Sequence, residues 1–475
     1  MNRRYGTLTE PLRADFTSIV GEANALSAAE DTSRYLQDWR EHGAVETPLV
    51  LRPGNTDDVS RIMALADSQR IPVVPQGGAT GLAGGHLPTA GLGEIILSLE
   101  RMNRLRDIDA AGMSLTAEAG MTLQSVQDAA ANARLYFGLR IASQGSCMIG
   151  GNLSTNAGGI GVIAYGSARA LCLGLEVVLA DGRVWHGLGA LKKDNTGYDL
   201  RDLFIGAEGT LGVITAATLK LHARPVLTVT ALAGMESPAA ALAFLNRLIG
   251  AAGPMVTAAE LMPRLAIDFT LRYAGKRDPM ASPHPWYLLV DLATGSEDPG
   301  LEAMLQRVLA QAIEAGEVAD AVVAASLAQA QSLWALRETM SEAQKPEGAS
   351  LKHDVSVPVA RVPAFIEEAV ATVLAIDPDC RPLPFGHIGD GNIHFNISQP
   401  AGGDADAFLA RSERLHAAVH DLVIRFGGSI SAEHGIGRYK RELLARTKDP
   451  VALALMKDIK RTLDPNGILN PGKVI

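Results

Sequence analysis

The chain has 475 residues, 47% of them hydrophobic, and a formal net charge of -9. That length suits roughly three domains with sizeable cores, and the acidic balance argues against a nucleic-acid partner, which needs a basic surface. No run of about 18 apolar residues exists, so no transmembrane helix is expected. The opening Met1-Asn2-Arg3-Arg4 leads into polar sequence without an apolar signal core, which predicts a cytoplasmic protein and leaves open attachment to the inner face of a membrane.

Along the chain, Leu49-Val50-Leu51 reads as a short strand. Asn55 or Thr56 caps a helix whose apolar positions Val59, Ile62, Met63 and Ala66 follow helical spacing. Ile71-Pro-Val73-Val74 is the next strand. It feeds a glycine-dense stretch, Pro75-Gln-Gly77-Gly78-Ala79-Thr80-Gly81-Leu82-Ala-Gly84-Gly85, at a strand's carboxyl end, where α/β units place ligands. Glu94–Leu99 and Leu115–Glu118 read as strands, and Leu123–Arg134 as a helix. A second glycine stretch follows, Gly150-Gly151-Asn152-Leu-Ser154-Thr155-Asn156-Ala157-Gly158-Gly159. Glycine lets a backbone approach a ligand closely, and successive amides in such turns can cradle a diphosphate. Either stretch alone is an ordinary irregular turn. The pair fits a cofactor with two phosphates and a large ring, with the hydroxyls of Thr80, Ser154 and Thr155 as further donors. Cys147 beside the second stretch reads as a packing residue. With Cys172 and Cys380 it makes an odd set without CxxC, fitting reduced thiols and neither disulfides nor a zinc knuckle.

Gly159-Ile-Gly161-Val-Ile-Ala164 matches G-x-G-x-x-A, but no strand precedes it, so a dinucleotide site is not expected there. Residues 175–185 read as a hairpin with a type I′ turn at Asp181-Gly182. A loop at 193–198 and a strand from Val213 follow. Beyond Ala223-Arg-Pro225 the composition becomes alanine-rich, with helical stretches at about 237–251, 299–316 and 320–345 and strands at 226–233 and 286–292. The expected domains are 1–222, 223–425 and a tail, 426–475, whose turn-rich end packs back on the first.

Phe385-Gly386-His387-Ile-Gly389-Asp390-Gly391-Asn392-Ile-His394-Phe-Asn396 is the second feature with chemistry. Asp390-Gly391 marks a turn. His394 and Asn396 share one face of a strand, and His387 can fold beside them. Ser431-Ala-Glu433-His434-Gly435 adds a carboxylate and a third imidazole. Two His with one Glu or Asp is a recognised metal set with open positions. Buried, hydrogen-bonded structural histidines fit the same spacing. Arg337 and Ser341 lie four residues apart in a predicted helix and face the same way. With Lys352 they offer three donors for a carboxylate-bearing substrate.

Taken together, these stretches resemble the flavin-dependent D-2-hydroxy acid dehydrogenases of the vanillyl-alcohol oxidase/p-cresol methylhydroxylase (PCMH) fold, over residues 40–475. The nearest members act on D-2-hydroxyglutarate, with D-lactate and glycolate enzymes close by. The resemblance implies an α+β protein. A PCMH-type FAD-binding domain of two α+β subdomains is joined by an α+β substrate (cap) domain and a C-terminal segment returning to the FAD domain. It places Pro75, Gly77, Gly78, Thr80, Gly81, Leu82, Gly85, Gly151, Ser154, Thr155, Gly158, Gly159, Glu208, Gly209, Val213, Ile214 and Asn470 on FAD. It makes His387, His394 and Glu433 the ligands of a divalent metal, zinc or manganese. Arg337, Ser341, Lys352 and Asn396 would bind substrate with His434, the catalytic base. Some relatives attach flavin through a His directly after the first Gly-Gly. Ala79 stands there, so FAD is expected to be non-covalent. Ser341 replaces the Thr expected in the hydroxyglutarate enzymes.

The reaction implied is oxidation of a D-2-hydroxy acid to the 2-oxo acid. The metal chelates the carboxylate and C2 oxygen, His434 takes the hydroxyl proton, and the hydride passes to flavin. Arg337 and Lys352, lacking other partners, would favour a diacid, D-2-hydroxyglutarate or D-malate, over D-lactate. The electron acceptor is open between electron-transfer flavoprotein, quinone and cytochrome, and so is a homodimer. The rival readings are D-lactate dehydrogenase or a glycolate oxidase subunit, a non-redox ether-lipid synthase, a metallohydrolase and a flavin-binding protein without catalysis.

Overall fold

The computed structural model describes residues 5–38, 45–296 and 300–475. Residues 1–4, part of the N-terminal reading, lie outside that range, as does residue 299 at the head of a predicted helix. The chain divides into two compact units. The first comprises residues 1–157, 167–224 and 434–475, and the second residues 158–166 and 225–433. The segment that rejoins the first unit thus starts at His434, later than the expected 426. Residues up to 433 stay with the second unit because Ser356 and Ser429 bridge in antiparallel fashion.

The first unit holds two sheets, each with helices. In one, Ala25–Leu26, Val50–Leu51, Ile95–Ser98 and Val73–Gln76 lie in that spatial order. The last two pairings are parallel. The helix Thr56–Gln69 makes the crossover. Asn55 Oδ1 caps it by accepting from the Asp58 amide, and Arg70 ends it in the left-handed region. Its buried side chains are Val59, Ile62, Met63 and Ala66, each of the larger ones contributing about 1.5–3 kcal/mol by leaving water. The other sheet is antiparallel, in the order Leu105–Asp109, Ser114–Glu118, Val213–Lys220, Cys172–Val178, Val184–Gly187. The hairpin in it differs from expectation. A type I′ turn needs positive φ at both central residues, yet only Gly182 has it. Leu179 accepts from Gly182 N and donates to Arg183 O, which makes a three-residue loop with glycine at the bulge. The tail returns to the first sheet, with Leu469 bridging Val73 in parallel and Lys473 Nζ 3.0 Å from Glu94 Oε1.

The second unit is built on one seven-stranded antiparallel sheet. Its spatial order is Asp320–Val323, Leu227–Met235, Trp286–Thr294, Val256–Pro263, Arg381–His387, Asn392–Ser398, Ser350–Ser356. Residues 320–323, predicted helical, are therefore an edge strand. Ala321, Val322 and Val323 pair with Ala233, Leu232 and Ala231, and helix resumes only at Leu327–Glu338. One face of the sheet packs in an apolar core with the helices Pro238–Ala252, Gly300–Glu314, Val362–Ile376 and Ser412–Arg425. On the other face Arg264–Tyr273, Leu327–Glu338 and Met340–Ala343 share a second, smaller core with Leu289, Leu383 and Phe385.

Register sorts the chemistry between these faces. Glu260 pairs with His387, Phe385 with His394, Lys352 with Asn396 and Asp354 with His394. Paired residues of neighbouring strands share a face, and residues two apart along a strand do too. Glu260, His387, His394, Asn396, Lys352 and Asp354 therefore stand together on the face with the smaller core. Their neighbours Leu351, Val355, Ile393, Phe395 and Ile397 stand on the other, in the larger core.

Candidate cofactor cradle and metal centre

The first glycine stretch leaves the carboxyl end of Val73–Gln76 and enters a cavity of about 850 Å³, counted to its open mouth. Of the residues expected on FAD, Pro75, Gly77, Gly78, Thr80, Gly81, Gly85, Gly151, Ser154, Thr155, Glu208, Gly209, Val213 and Ile214 line it, and so does His434. Sequence reasoning missed Met148 and His86, which also line it. Two glycines define the cradle. A Cβ on Gly78 would sit 2.0 Å from Ser146 O, so that backbone packs where no side chain fits. A Cβ on Gly151 would meet nothing within 4 Å, so that position opens onto empty space. Glu208, with φ +51°, closes one wall. Its carboxylate accepts from Ile436 N and Gly437 N, each at 2.7 Å, and burial raises its pKa. Asn470 Nδ2 donates to Gly85 O and Glu208 O.

Two buried polar atoms at this cradle, Asn470 Oδ1 and His86 Nδ1, have no hydrogen-bond partner among the described residues. Unpaired buried acceptors and donors are costly, and a polar cofactor is what such a site fits. Some residues expected on FAD stand elsewhere than on the cavity wall or are otherwise engaged. Leu82 does not line the cavity, and the Thr155 hydroxyl is engaged by Gly151 O. Gly158 and Gly159 belong to the second unit, where a Cβ on Gly158 would stand 2.9 Å from Glu433 Oε1. The G-x-G-x-x-A stretch carries only a four-residue helix, Val162–Tyr165, with no strand before it. The three thiols are buried, and burial pushes Cys172 up to about 12 and Cys380 to about 11, so neither is a thiolate.

In the second unit, ligand atoms of His387, His394 and Glu433 lie within 4.8 Å of one another. The hairpin brings the two rings to 5.5 Å between centroids, and His387 Nε2 is 3.8 Å from Glu433 Oε1. Glu433 is held by its backbone, which donates to Asp354 Oδ2 at 2.9 Å. Asp354 Oδ1 accepts from Asn392 Nδ2 at 3.0 Å. This donor set and spacing fit a divalent ion.

The electrostatics follow from burial and crowding. Burial alone would raise Glu260, but His387 and Arg337 hold it down at about 2. Burial would lower His387, yet the Glu260 carboxylate outweighs it and raises the imidazole to about 9. Glu433 is raised to about 7 by burial, against the pull of His387 and with Asp354, Asp390 and Glu260 adding to the rise.

Arg337 corrects one expectation. It does have a partner, because Nε donates to Glu260 Oε2 at 2.7 Å, and its guanidinium lies 4.9 Å from the Phe385 ring centroid. Lys352 is exposed on its strand and makes contacts of its own, so neither cation is waiting unpaired. Ser341 is exposed in a separate short helix, Met340–Ala343, because the first helix ends at Glu338. Asn396 is buried and donates to Gln344 Oε1 at 3.0 Å. Glu260 was missed because its strand carries no alternation: Val256-Thr-Ala-Ala-Glu260-Leu-Met-Pro263 is apolar on both sides. A lone carboxylate in such a run was the available signal.

Residues 224–474 match the family of FAD linked oxidases, C-terminal domain, and residues 47–187 match the FAD binding domain family. The chain is 38% identical to a probable mitochondrial D-2-hydroxyglutarate dehydrogenase of Oryza sativa subsp. indica, covering 100% of this chain and 83% of that one. It is 38% identical to a D-2-hydroxyglutarate dehydrogenase of Xanthomonas citri pv. viticola, with 98% and 97% covered. A D-2-hydroxyglutarate–pyruvate transhydrogenase of Saccharomyces cerevisiae is 34% identical, with 100% and 96% covered. The fold is similar to that of p-cresol methylhydroxylase, with TM-score 0.76 at 17% identity over 98% of this chain and 97% of the other. It is also similar to that of alkyldihydroxyacetonephosphate synthase, with TM-score 0.74 at 15% identity over 98% and 85%. The α+β, PCMH-type architecture is thus the one the sequence implied. No helix among the described residues is long and apolar enough to cross a membrane. With an FAD-binding domain, a linked-oxidase domain and D-2-hydroxyglutarate dehydrogenases 38% identical over the length of the chain, it belongs to the D-2-hydroxyglutarate dehydrogenase family of FAD-linked oxidases and is an FAD-dependent oxidoreductase acting on CH–OH.

Proposed function

We propose that the protein oxidises D-2-hydroxyglutarate to 2-oxoglutarate, with D-malate as the rival diacid, using non-covalent FAD and one divalent metal ion. The observation that carries this reading is the sheet face on which His387, His394 and Glu433 converge beside Asn396 and Lys352. A metal set bordered by amide and cationic donors suits a chelating, carboxylate-rich alcohol. The names of the relatives at 38% identity support the same substrate. When bound, FAD supplies the hydride acceptor and the metal polarises the C2 hydroxyl.

The protein's own groups do the rest. His387, His394 and Glu433 hold the ion. Arg337 and Lys352 take the distal carboxylate, Arg337 through its Nη edge because Nε is engaged by Glu260. Ser341 and Asn396 add hydrogen bonds. His434, on the cofactor cavity, accepts the hydroxyl proton. Ala79, which follows Gly77-Gly78, offers no nucleophile to link the flavin. Electrons then pass to a separate acceptor. The transhydrogenase name of the yeast relative makes a 2-oxo acid worth testing beside electron-transfer flavoprotein, quinone and cytochrome.

Anaerobic addition of D- and L-hydroxy acids to the purified, FAD-loaded protein tests this reading. D-2-hydroxyglutarate or D-malate should bleach the flavin, and their L-forms should not. A preference for D-lactate would overturn the diacid assignment, and no bleaching by any hydroxy acid would overturn the reaction.

A further inference from the structure

We propose that Glu260 is the positioning residue that joins the metal set to the substrate-binding arginine, by holding His387 with one carboxylate oxygen and Arg337 with the other. This inference rests on the metal reading above.

Glu260 is fully buried in the middle of the sheet, opposite His387 in register. Its Oε1 is 2.5 Å from His387 Nδ1, and its Oε2 is 2.7 Å from Arg337 Nε. An ionised carboxylate only accepts hydrogen bonds, so Nδ1 must carry the ring hydrogen. In the neutral, ligating ring the lone pair is then on Nε2, the nitrogen that faces Glu433. A carboxylate behind a ligating imidazole fixes both tautomer and ring orientation. The same carboxylate, with the Phe385 ring under the guanidinium, sets the plane of Arg337. Its Nη nitrogens make no hydrogen bond among the described residues and remain for a ligand. Losing Glu260 would therefore disturb ion and substrate together, although it touches neither.

Glu260→Gln is the informative change. The amide has one acceptor and one donor end, but both partners donate. Either Arg337 loses its acceptor, or the amide N–H faces Nδ1 and moves the ring hydrogen to Nε2, blocking ligation. Zinc affinity of the FAD-loaded protein, measured by competition with a chromophoric chelator, should fall about 10- to 100-fold. The KM for D-2-hydroxyglutarate should rise in metal-saturated protein. Glu260→Asp keeps two acceptors at shorter reach and should recover part of both. Unfolding in excess chelator reports the purely structural contribution and should not track the loss of zinc affinity across the variants. Zinc affinity equal to wild type in Glu260→Gln overturns the inference and leaves the metal reading standing. A wild-type protein that binds no zinc overturns both. If the Gln variant does not fold, the Asp variant decides, and an unchanged zinc affinity there overturns the inference.

Discussion

Gly151 and Gly78 both belong to the cradle, yet alanine should act at them in opposite ways. Gly151 lies in the short helix Ile149–Ser154, and an added Cβ meets nothing within 4 Å. In the cofactor-free protein Gly151→Ala should then be neutral or stabilising by about 0.4–1 kcal/mol, since alanine restricts the unfolded chain and suits a helix. That open space is where we place FAD. Forcing a methyl group against a bound cofactor costs about 1–3 kcal/mol, as overpacking does in a core, or roughly 5- to 150-fold in affinity. Gly78→Ala instead drives a Cβ to 2.0 Å from Ser146 O and 3.0 Å from Cys147 Cα, both backbone atoms that cannot swing aside. It should destabilise the cofactor-free fold by about 1–3 kcal/mol or more. Thermal unfolding of the two apoproteins and FAD titration by fluorescence quenching separate the cases. Wild-type FAD affinity in Gly151→Ala, or an apoprotein as destabilised as Gly78→Ala, would refute the placement of the cofactor.

Four further outcomes follow from the candidate metal centre and its neighbours. His387, raised from 6.5 to about 9, and Glu433, raised from 4.5 to about 7, must both lose a proton to ligate. Zinc affinity should therefore climb roughly a hundredfold from pH 7 to 9 and fall more steeply below pH 7; a flat profile would remove these two as ligands. In metal-free protein both raised groups stabilise the fold at low pH and lose that contribution as pH rises, Glu433 between about 4.5 and 7 and His387 between 6.5 and about 9. Denaturant midpoints in chelator should decline over that window. His434→Ala should lower kcat roughly a hundredfold or more while zinc content and FAD stay unchanged; unchanged flavin reduction would clear His434 of the base role. Arg337→Ala should cost roughly ten- to a hundredfold in kcat/KM on D-2-hydroxyglutarate and less on D-lactate. Equal losses on both would mean that Arg337 serves the carboxylate common to all hydroxy acids.

Much of the cofactor cradle was legible because it is made of backbone. Glycine spacing after the strand Val73–Gln76 shows where a chain can approach a ligand, and most of the residues read that way line one cavity. The candidate metal residues could be read as a set, because strand alternation and the Asp390-Gly391 turn bring His387 beside His394. What stayed hidden depends on pairing across the sheet. Glu260 and Asp354 act through partners 127 and 79 residues away in sequence. No local pattern announces such a contact. The same limit explains Arg337, which looked uncommitted because its counter-ion lies on a strand without periodicity. Residues 320–323 were absorbed into a helix because alanine and valine there suit either state, and only the neighbouring strand Leu227–Met235 decides.

The two readings of the histidines, metal ligands or buried structural residues, can now be weighed by charge. Glu260, Asp354, Asp390 and Glu433 all raise or share the negative potential around His387 and His394. Burying ionised groups is expensive unless each is paired. Glu260 is paired twice, with His387 and Arg337. Asp354 is hydrogen-bonded by Asn392 and by the Glu433 amide. The Glu433 carboxylate is less well served, facing His387 Nε2 at 3.8 Å, and its raised pKa expresses the shortfall. A purely structural pair of histidines would be better placed with an amide or a hydroxyl at position 433. A carboxylate there adds crowded negative charge that a divalent cation would relieve, beyond what His387 offers at 3.8 Å. Glu433→Gln discriminates between the readings. If the histidines are structural, the amide removes an uncompensated charge and should raise stability at pH 8 with no cost in turnover. If they are ligands, the same change should abolish zinc-dependent stabilisation and turnover together, while the chelator-treated variant is still at least as stable as chelator-treated wild type.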